Sequence, residues 1–254
     1  VTSVLCFAFF SNASAITIKH VANAGVKISS GNQVILIDAL SGPNIHYNTT
    51  SRKNFDLMLK SPVDVTLATH DHPDHFSADK TTILLNKNPN ALFISIPKAI
   101  DLIANKVDEK QLRTAYLSGF ESKQFNHKGI SVTALHFPHL GSKPDIDKFT
   151  NYGFLVRVNG WNLLHVGDAQ FDIERINGLD LDKMNIDVVL LPAWVPEIPG
   201  GIELVKNLKL GKIIFMHLMD KELKTYSKLI NDNLPNASLL ATGYEIVKLN
   251  KEAE

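Results

Sequence analysis

The sequence predicts a mixed α and β protein whose chemistry gathers at strand ends. Three observations carry that expectation. Short apolar runs, bounded by turn residues, recur along the chain. Stretches with helical spacing of apolar residues separate some of them. Side chains able to bind metals stand directly after several apolar runs rather than inside them.

Taken in order, strands are expected at 16–19, 26–29, 34–38, 63–69, 92–96, 131–135, 153–158, 161–166, 187–191, 212–216, 238–241 and 245–249. Helices are expected at 51–60, 77–86, 97–105, 202–208 and 221–231. Ser77 suits a helix N-cap, and Asp79 would follow in the first turn, where a carboxylate meets the positive end of the helix dipole. The charged stretch 105–110 reads as a solvated helix face or turn. By pattern alone the architecture is early strands, a middle βα region and a second β-rich half with trailing helices.

The first residues read differently. Residues 1–10 are mostly apolar and lead into Ser11-Asn12-Ala13-Ser14-Ala15. Ala13 and Ala15 make an Ala-x-Ala cleavage pattern, so 1–15 is expected to be the remnant of a secretory signal, with 16–254 as a single domain. The alternative is a buried first strand. The apolar run is too short to span a bilayer as a helix, and Leu5 before Cys6 is not the small residue of a lipoprotein box. The expectation is an exported, periplasmic protein with no stable membrane anchor, or a cytoplasmic one if 1–15 is not a signal. Cleavage after Ala15 would leave no cysteine.

The 254 residues are 44% hydrophobic, enough for one large core. The 26 acidic and 26 basic side chains balance, which gives no argument for nucleic-acid binding, since that is driven by a basic surface. A small-molecule substrate is expected instead.

The densest chemistry is Thr69-His70-Asp71-His72-Pro73-Asp74-His75, after the apolar run 63–68. Packing does not explain three imidazoles and two carboxylates at the end of a buried strand. Neutral imidazole and carboxylate are ligands of zinc and related divalent ions. Three imidazoles so close would repel once protonated, unless something held them neutral. Other candidates also follow apolar runs: His136 and His139 after 131–135, Asp168 after 161–166, and His217 after 212–216. Rigid strands can hold such groups to the tolerance a metal requires.

The set His-x-His-x-Asp-His at 70–75, then a His, Gly167-Asp168 and His217 resembles the metallo-β-lactamase superfamily, and the opening 16–38 agrees, with its Asn23-Ala24-Gly25 turn. The resemblance implies a four-layer αββα sandwich, α/β in class, with its site at the edge between two sheets. It also implies two metal ions, zinc first, with Mn2+ or Fe2+ as other candidates. His70, His72 and His139 would hold one, Asp74, His75 and His217 the other, and Asp168 would bridge them. A metal-bound hydroxide would cleave an ester, lactone or phosphodiester bond, and Asp74 would also orient this nucleophile. Among branches of the superfamily, the lactonase-like group that includes ascorbate-6-phosphate lactonase is nearest.

Strand alternation leaves both His136 and His139 open as the third ligand; the resemblance selects His139. His165 reads as a core histidine. His20 stands near the position where related lactonase-like hydrolases carry a His, with structural and functional roles both open. Asp38 ends an apolar strand and needs a partner, for which a metal-bound His is suited. Trp194 could pack or form a substrate platform, and Lys143, Lys148 and Arg52 could meet an anionic substrate. The only cysteine is Cys6, so the cysteine-bearing β-lactamase pattern is not met. His72 stands where flavodiiron oxidoreductases carry Glu. Two rivals remain: a mononuclear iron oxygenase and a non-catalytic binding module on the same fold.

Overall fold

The computed structural model describes residues 15–141, 150–208 and 210–251. The signal-like segment 1–14 and Lys143 and Lys148 lie outside the described residues.

Strands β1 (Ile16–Ala22), β2 (Gly25–Ser30), β3 (Gln33–Ile37), β4 (Val65–Ala68), β5 (Leu92–Ser95) and β6 (Leu112–Arg113) form the first sheet. Strands β7 (Ser122–His127), β8 (Ile130–Pro138), β9 (Thr150–Val158), β10 (Trp161–His165), β11 (Val188–Pro192), β12 (Lys212–Met216) and β13 (Ser238–Leu239) form the second. The last strand, β14 (Ile246–Leu249), returns to pair antiparallel with β1. The first sheet runs in the order β14-β1-β2-β3-β4-β5-β6 and the second in the order β13-β12-β11-β10-β9-β8-β7. Each is part antiparallel and part parallel: β3 to β6 are parallel neighbours, as are β10 to β13.

Alternation along each strand sorts the apolar residues into layers. Val188 and Leu190 of β11, Phe154 and Val156 of β9, and Ile214 and Met216 of β12 face a shared core with Ile35 and Ile37 of β3. Val189, Leu191, Leu155 and Phe215 face the other way. There they meet Ile176 of α4 (Ile173–Gly178), Val205 of α5 (Gly201–Asn207), and Tyr226 and Ile230 of α6 (Leu223–Asn233). On the first sheet Leu36 faces outward, against Met58 of α1 (Arg52–Met58) and Leu84 of α2 (Ala78–Lys87). A further short helix, α3 (Pro97–Asp101), follows β5. Two mixed sheets flanked by helices make the expected α/β sandwich. Strands buried on both faces read as continuous apolar runs, and that is why they were legible.

Ser77 caps α2 as expected, accepting from Lys80 N, with Asp79 in the first turn. The stretch 105–110 is turn leading into a short 3-10 segment, Glu109–Gln111. Two strands escape the sequence reading. β7 is mostly polar and exposed at a sheet edge, and β6 is two residues long. The short helix α4 escapes too; it is started by Asp172, whose side chain accepts from Arg175 N. No helix among the described residues is long and apolar enough to cross a membrane.

Candidate metal centre

The carboxyl ends of parallel strands open toward one edge of the sandwich, where α/β sheets place their sites. β3 delivers Asp38, β4 delivers 69–75, β10 delivers Asp168, and β12 delivers His217. The antiparallel β8 contributes His139 just past its end. Tyr152 N donates to Thr69 O at 2.9 Å, tying the two sheets together, and Leu140 N donates to Asp168 O at 2.8 Å between two loops of the second sheet.

Three groups of side chains offer ligand atoms that lie within 4.8 Å of one another: His70, His72 and His139; His70, His75 and Asp168; and Asp74, His75 and His217. The first and third are the two sets the sequence resemblance implies, and the second joins them through Asp168. His75 Nε2 and His217 Nε2 are 3.1 Å apart. Asp74 Oδ2 lies 3.5 Å from the former and 3.3 Å from the latter. Asp168 Oδ1 lies 3.1 Å and 3.2 Å from the same two nitrogens. Two ligands on a tetrahedral zinc with bonds of 2.0–2.1 Å stand about 3.3–3.4 Å apart. The donor set therefore fits one divalent ion without rearrangement. The other Asp168 oxygen, Oδ2, faces His70 Nε2 at 3.9 Å and His139 Nε2 at 3.6 Å, a looser set.

Hydrogen bonds fix which imidazole nitrogens carry protons. Thr69 Oγ1 donates to Asp38 Oδ2 at 2.7 Å, so its lone pair accepts from His70 Nδ1 at 3.1 Å. His70 Nε2 keeps its lone pair, and it is buried without a hydrogen-bond partner. His75 Nδ1 donates to Asp38 Oδ2 at 2.8 Å, and His139 Nδ1 donates to Leu140 O at 2.8 Å. In all three, Nδ1 bonds to the protein and Nε2 faces the centre, the arrangement a carboxylate-backed metal ligand requires.

Burial pushes Asp168 upward, but His217 and His75 outweigh it and hold its carboxyl well below the usual range. Burial likewise lowers His75, but Asp168 and Asp38 reverse that and raise it well above its ordinary value. His217 is raised by Asp168 and Asp74 against its burial. His70 is driven far down by burial, then by His75. The two carboxylates thus favour the protonated forms of His75 and His217, while burial favours the neutral form of His70.

Local backbone explains the Gly-Asp pair. Gly167 has φ +63, and a Cβ there would stand 2.7 Å from Thr69 Cβ and closer still to Asn151 Oδ1. Asn151 Oδ1 accepts from Asp168 N at 3.2 Å, while its amide donates to Val166 O at 3.0 Å. Gly25 is required for a different reason: a Cβ would meet Asp38 O at 2.7 Å.

Other sequence candidates divide. His136 turns away and lies 3.0 Å by Nδ1 from Gly119 O, outside the cluster. His165 is fully buried, with Nε2 on Ala24 O at 2.9 Å and Nδ1 accepting from Gly167 N, so it is a satisfied core histidine that also braces the Gly-Asp turn. Arg52 is exposed and pairs with Asp56 on its own helix. Asp71 pairs with Lys98 at 2.6 Å and points out of the centre. Trp194 sets its ring edge-on to His217 at 4.7 Å between centroids, and Tyr47 does the same at 4.5 Å. Burial, then Asp168 and Asp74, push the Tyr47 phenol up to about 12, so it stays protonated.

Sequence reasoning missed Tyr47, Asn44, Asn23 and Thr69. Asn44 and Asn23 donate their amides to Asp74 Oδ1 and Oδ2 at 3.3 and 2.9 Å. Their signal was weak: asparagines in loops are ordinary turn residues. Thr69 offered more, since it directly precedes His70 at the end of a buried strand.

Residues 17–217 match the family described as the beta-lactamase superfamily domain. A UPF0173 metal-dependent hydrolase of Saccharolobus solfataricus is 28% identical over 178 residues, spanning 69% of this chain and 70% of that one. The metallo hydrolase Igni18 of Ignicoccus hospitalis has the same fold, with a TM-score of 0.65 at 18% identity over 94% of this chain and 100% of that one. So does CmlA, a diiron beta-hydroxylase of Streptomyces venezuelae, with a TM-score of 0.59 at 12% identity over 94% of this chain and 54% of that one. With the sandwich and its His/Asp centre, the match over 17–217 shows that this chain belongs to the metallo-β-lactamase superfamily, as a metal-dependent hydrolase.

Proposed function

We propose that the chain is a binuclear hydrolase, zinc-loaded, that cleaves an ester, lactone or phosphodiester bond of a small molecule. The observation that supports two ions is the split of Asp168: Oδ1 faces His75 and His217, and Oδ2 faces His70 and His139. His70, His72 and His139 would hold one ion and Asp74, His75 and His217 the other. Bound there, divalent ions would supply an activated water and polarise the scissile bond.

The chain's own groups do the rest. Asp74 is held below the usual carboxylate range by His217 and His75 despite burial, so it remains an acceptor able to orient the attacking water. Asp38 keeps His75 in the tautomer that presents Nε2. Tyr47 and Trp194 bound the cleft beside His217 and offer flat apolar surface to a substrate. The lactonase-like branch is the first place to look for that substrate. Export to the periplasm, argued from 1–15, belongs to the same reading.

The test is metal content by elemental mass spectrometry on protein purified without chelator, beside Asp168→Ala. About two zinc per chain, falling in the variant, followed by turnover in a lactone and phosphodiester panel, is the expected result. One iron per chain, indifferent to Asp168 and accompanied by oxygen uptake, would overturn the reading in favour of oxygenase chemistry.

A further inference from the structure

A hydrogen-bonded path outside His70, His72, Asp74, His75, His139, Asp168 and His217 reaches the centre from the loop before β14. Glu245 stands just before β14, beyond the family match at 17–217. Its Oε1 accepts from Ala241 N at 3.0 Å and Thr242 N at 2.7 Å, and its Oε2 lies 3.1 Å from His20 Nδ1. Gly243 N donates to that same nitrogen at 2.9 Å. His20, on β1, is 1% exposed, and its Nε2 lies 2.8 Å from Asn23 O. A carbonyl only accepts, so Nε2 carries the proton and donates.

Asn23 joins this path to the centre twice. Its carbonyl also accepts from His217 N at 3.3 Å, and its side-chain amide donates to Asp74 Oδ2 at 2.9 Å. Asp74 Oδ2 is the oxygen that faces His75 and His217. Asn23 itself is held at φ 46, in the left-handed region. A bond that only anchored the last strand would end at His20. This one continues to a carboxylate and to the backbone of a histidine on the other sheet.

We infer that Asn23, braced by His20, whose Nδ1 accepts from Gly243 N, is a positioning residue that fixes Asp74 and His217 for the second metal ion. The inference rests on the reading of Asp74 and His217 as ligands. A carboxylate with one oxygen pinned by an amide cannot rotate to offer the other without losing that bond. Fixing the ligand before the ion arrives raises affinity, because less freedom is lost on binding.

Two variants separate this role from simple packing. Asn23→Gly suits the left-handed backbone and keeps the carbonyl, removing only the amide. Asn23→Asp keeps the shape, tolerates the same φ, and turns a donor toward Asp74 into an acceptor. Zinc affinity is read by chelator competition, and ligand geometry by the visible spectrum of the Co2+-loaded protein. Expected is a loss of about tenfold to a hundredfold in affinity for the second equivalent in Asn23→Gly, and more in Asn23→Asp. The first equivalent stays unchanged and the Co2+ bands shift. His20→Ala reproduces the loss, and His20→Gln, which can still donate to Asn23 O, recovers part of it. If wild type binds two equivalents and both Asn23 variants match it in affinity and spectrum, the positioning role is overturned alone. If wild type binds fewer than two, the binuclear reading falls, and this inference with it. Should Asn23→Gly fail to fold, Asn23→Asp decides.

Discussion

Asp38 Oδ2 lies 2.8 Å from His75 Nδ1, and the same oxygen accepts the Thr69 hydroxyl that holds His70. One buried carboxylate thus sets the orientation of two imidazoles that would serve different ions. Asp38→Asn keeps the size, and Asn tolerates the φ of 50 found here. Its single oxygen, however, cannot replace both Oδ2, which meets Thr69 Oγ1 and His75 Nδ1, and Oδ1, which accepts from Thr69 N at 2.8 Å. Zinc affinity is expected to fall by about tenfold to a hundredfold, read by chelator competition. Stability of the metal-free protein is expected to fall by about 1–3 kcal/mol, read by urea unfolding. Unchanged zinc affinity would remove Asp38 from any role in orienting ligands.

His136 and His139, three residues apart on one strand end, are expected to behave oppositely. His139 offers Nε2 to the centre, while His136 is buried against Gly119 O on the far side. His139→Ala is expected to lose bound metal and at least a hundredfold in turnover. His136→Ala is expected to keep its metal and cost about 0.5–3 kcal/mol of stability. Metal analysis and thermal melting of the two variants decide between them, and a metal-free His136→Ala would reverse the assignment.

Gly167→Ala is expected to do more damage than its size suggests. The left-handed φ costs about 1–2 kcal/mol for a residue with a Cβ, and the overlap with Thr69 and Asn151 adds an overpacking cost of about 1–3 kcal/mol. The strain falls on the turn that presents Asp168, so metal content should drop along with the melting temperature. A variant that melts lower yet keeps full metal would show that the turn can yield without moving Asp168.

The sequence disclosed the ligand candidates because chemistry overrode packing there. No apolar argument accounts for His70, His72 and His75 after a buried strand, or for Asp168 and His217 at other strand ends. The core strands were legible because burial on both faces leaves an unbroken apolar run, as in 188–191. β7 was not, because an exposed edge strand has no apolar face to write into its sequence. Strand pattern alone left His136 and His139 both open, since both follow the same apolar run; the choice of His139 came from the resemblance. The supporting groups were least visible. Asn23 and Asn44 act through side-chain amides presented from turns, and a lone asparagine in a turn carries no periodicity to mark it. Glu245 lies more than two hundred positions from His20, and only the return of β14 to β1 brings them together.

Metal loading should release protons, and the direction follows from the centre itself. His75 and His217 are raised above their ordinary value of 6.5, chiefly by Asp168 against the opposing effect of burial. A raised histidine stabilises the folded state fully below its unfolded pKa, and that contribution is lost as pH rises through the folded value. Asp168 and Asp74 are lowered from 3.8, so their contribution is present above that value and lost as pH falls through the folded one. The metal-free protein should therefore be most stable between the two ranges, with a decline on the alkaline side as His75 and His217 lose their protons. A divalent ion takes up the lone pairs those protons occupied, so binding near pH 7 must displace them. Calorimetric zinc titration in buffers of different ionisation enthalpy is expected to show net proton release for the ion at Asp74, His75 and His217. The zinc-loaded protein should lack the alkaline decline. No proton release at pH 7 would mean that His75 and His217 are already neutral in the metal-free protein.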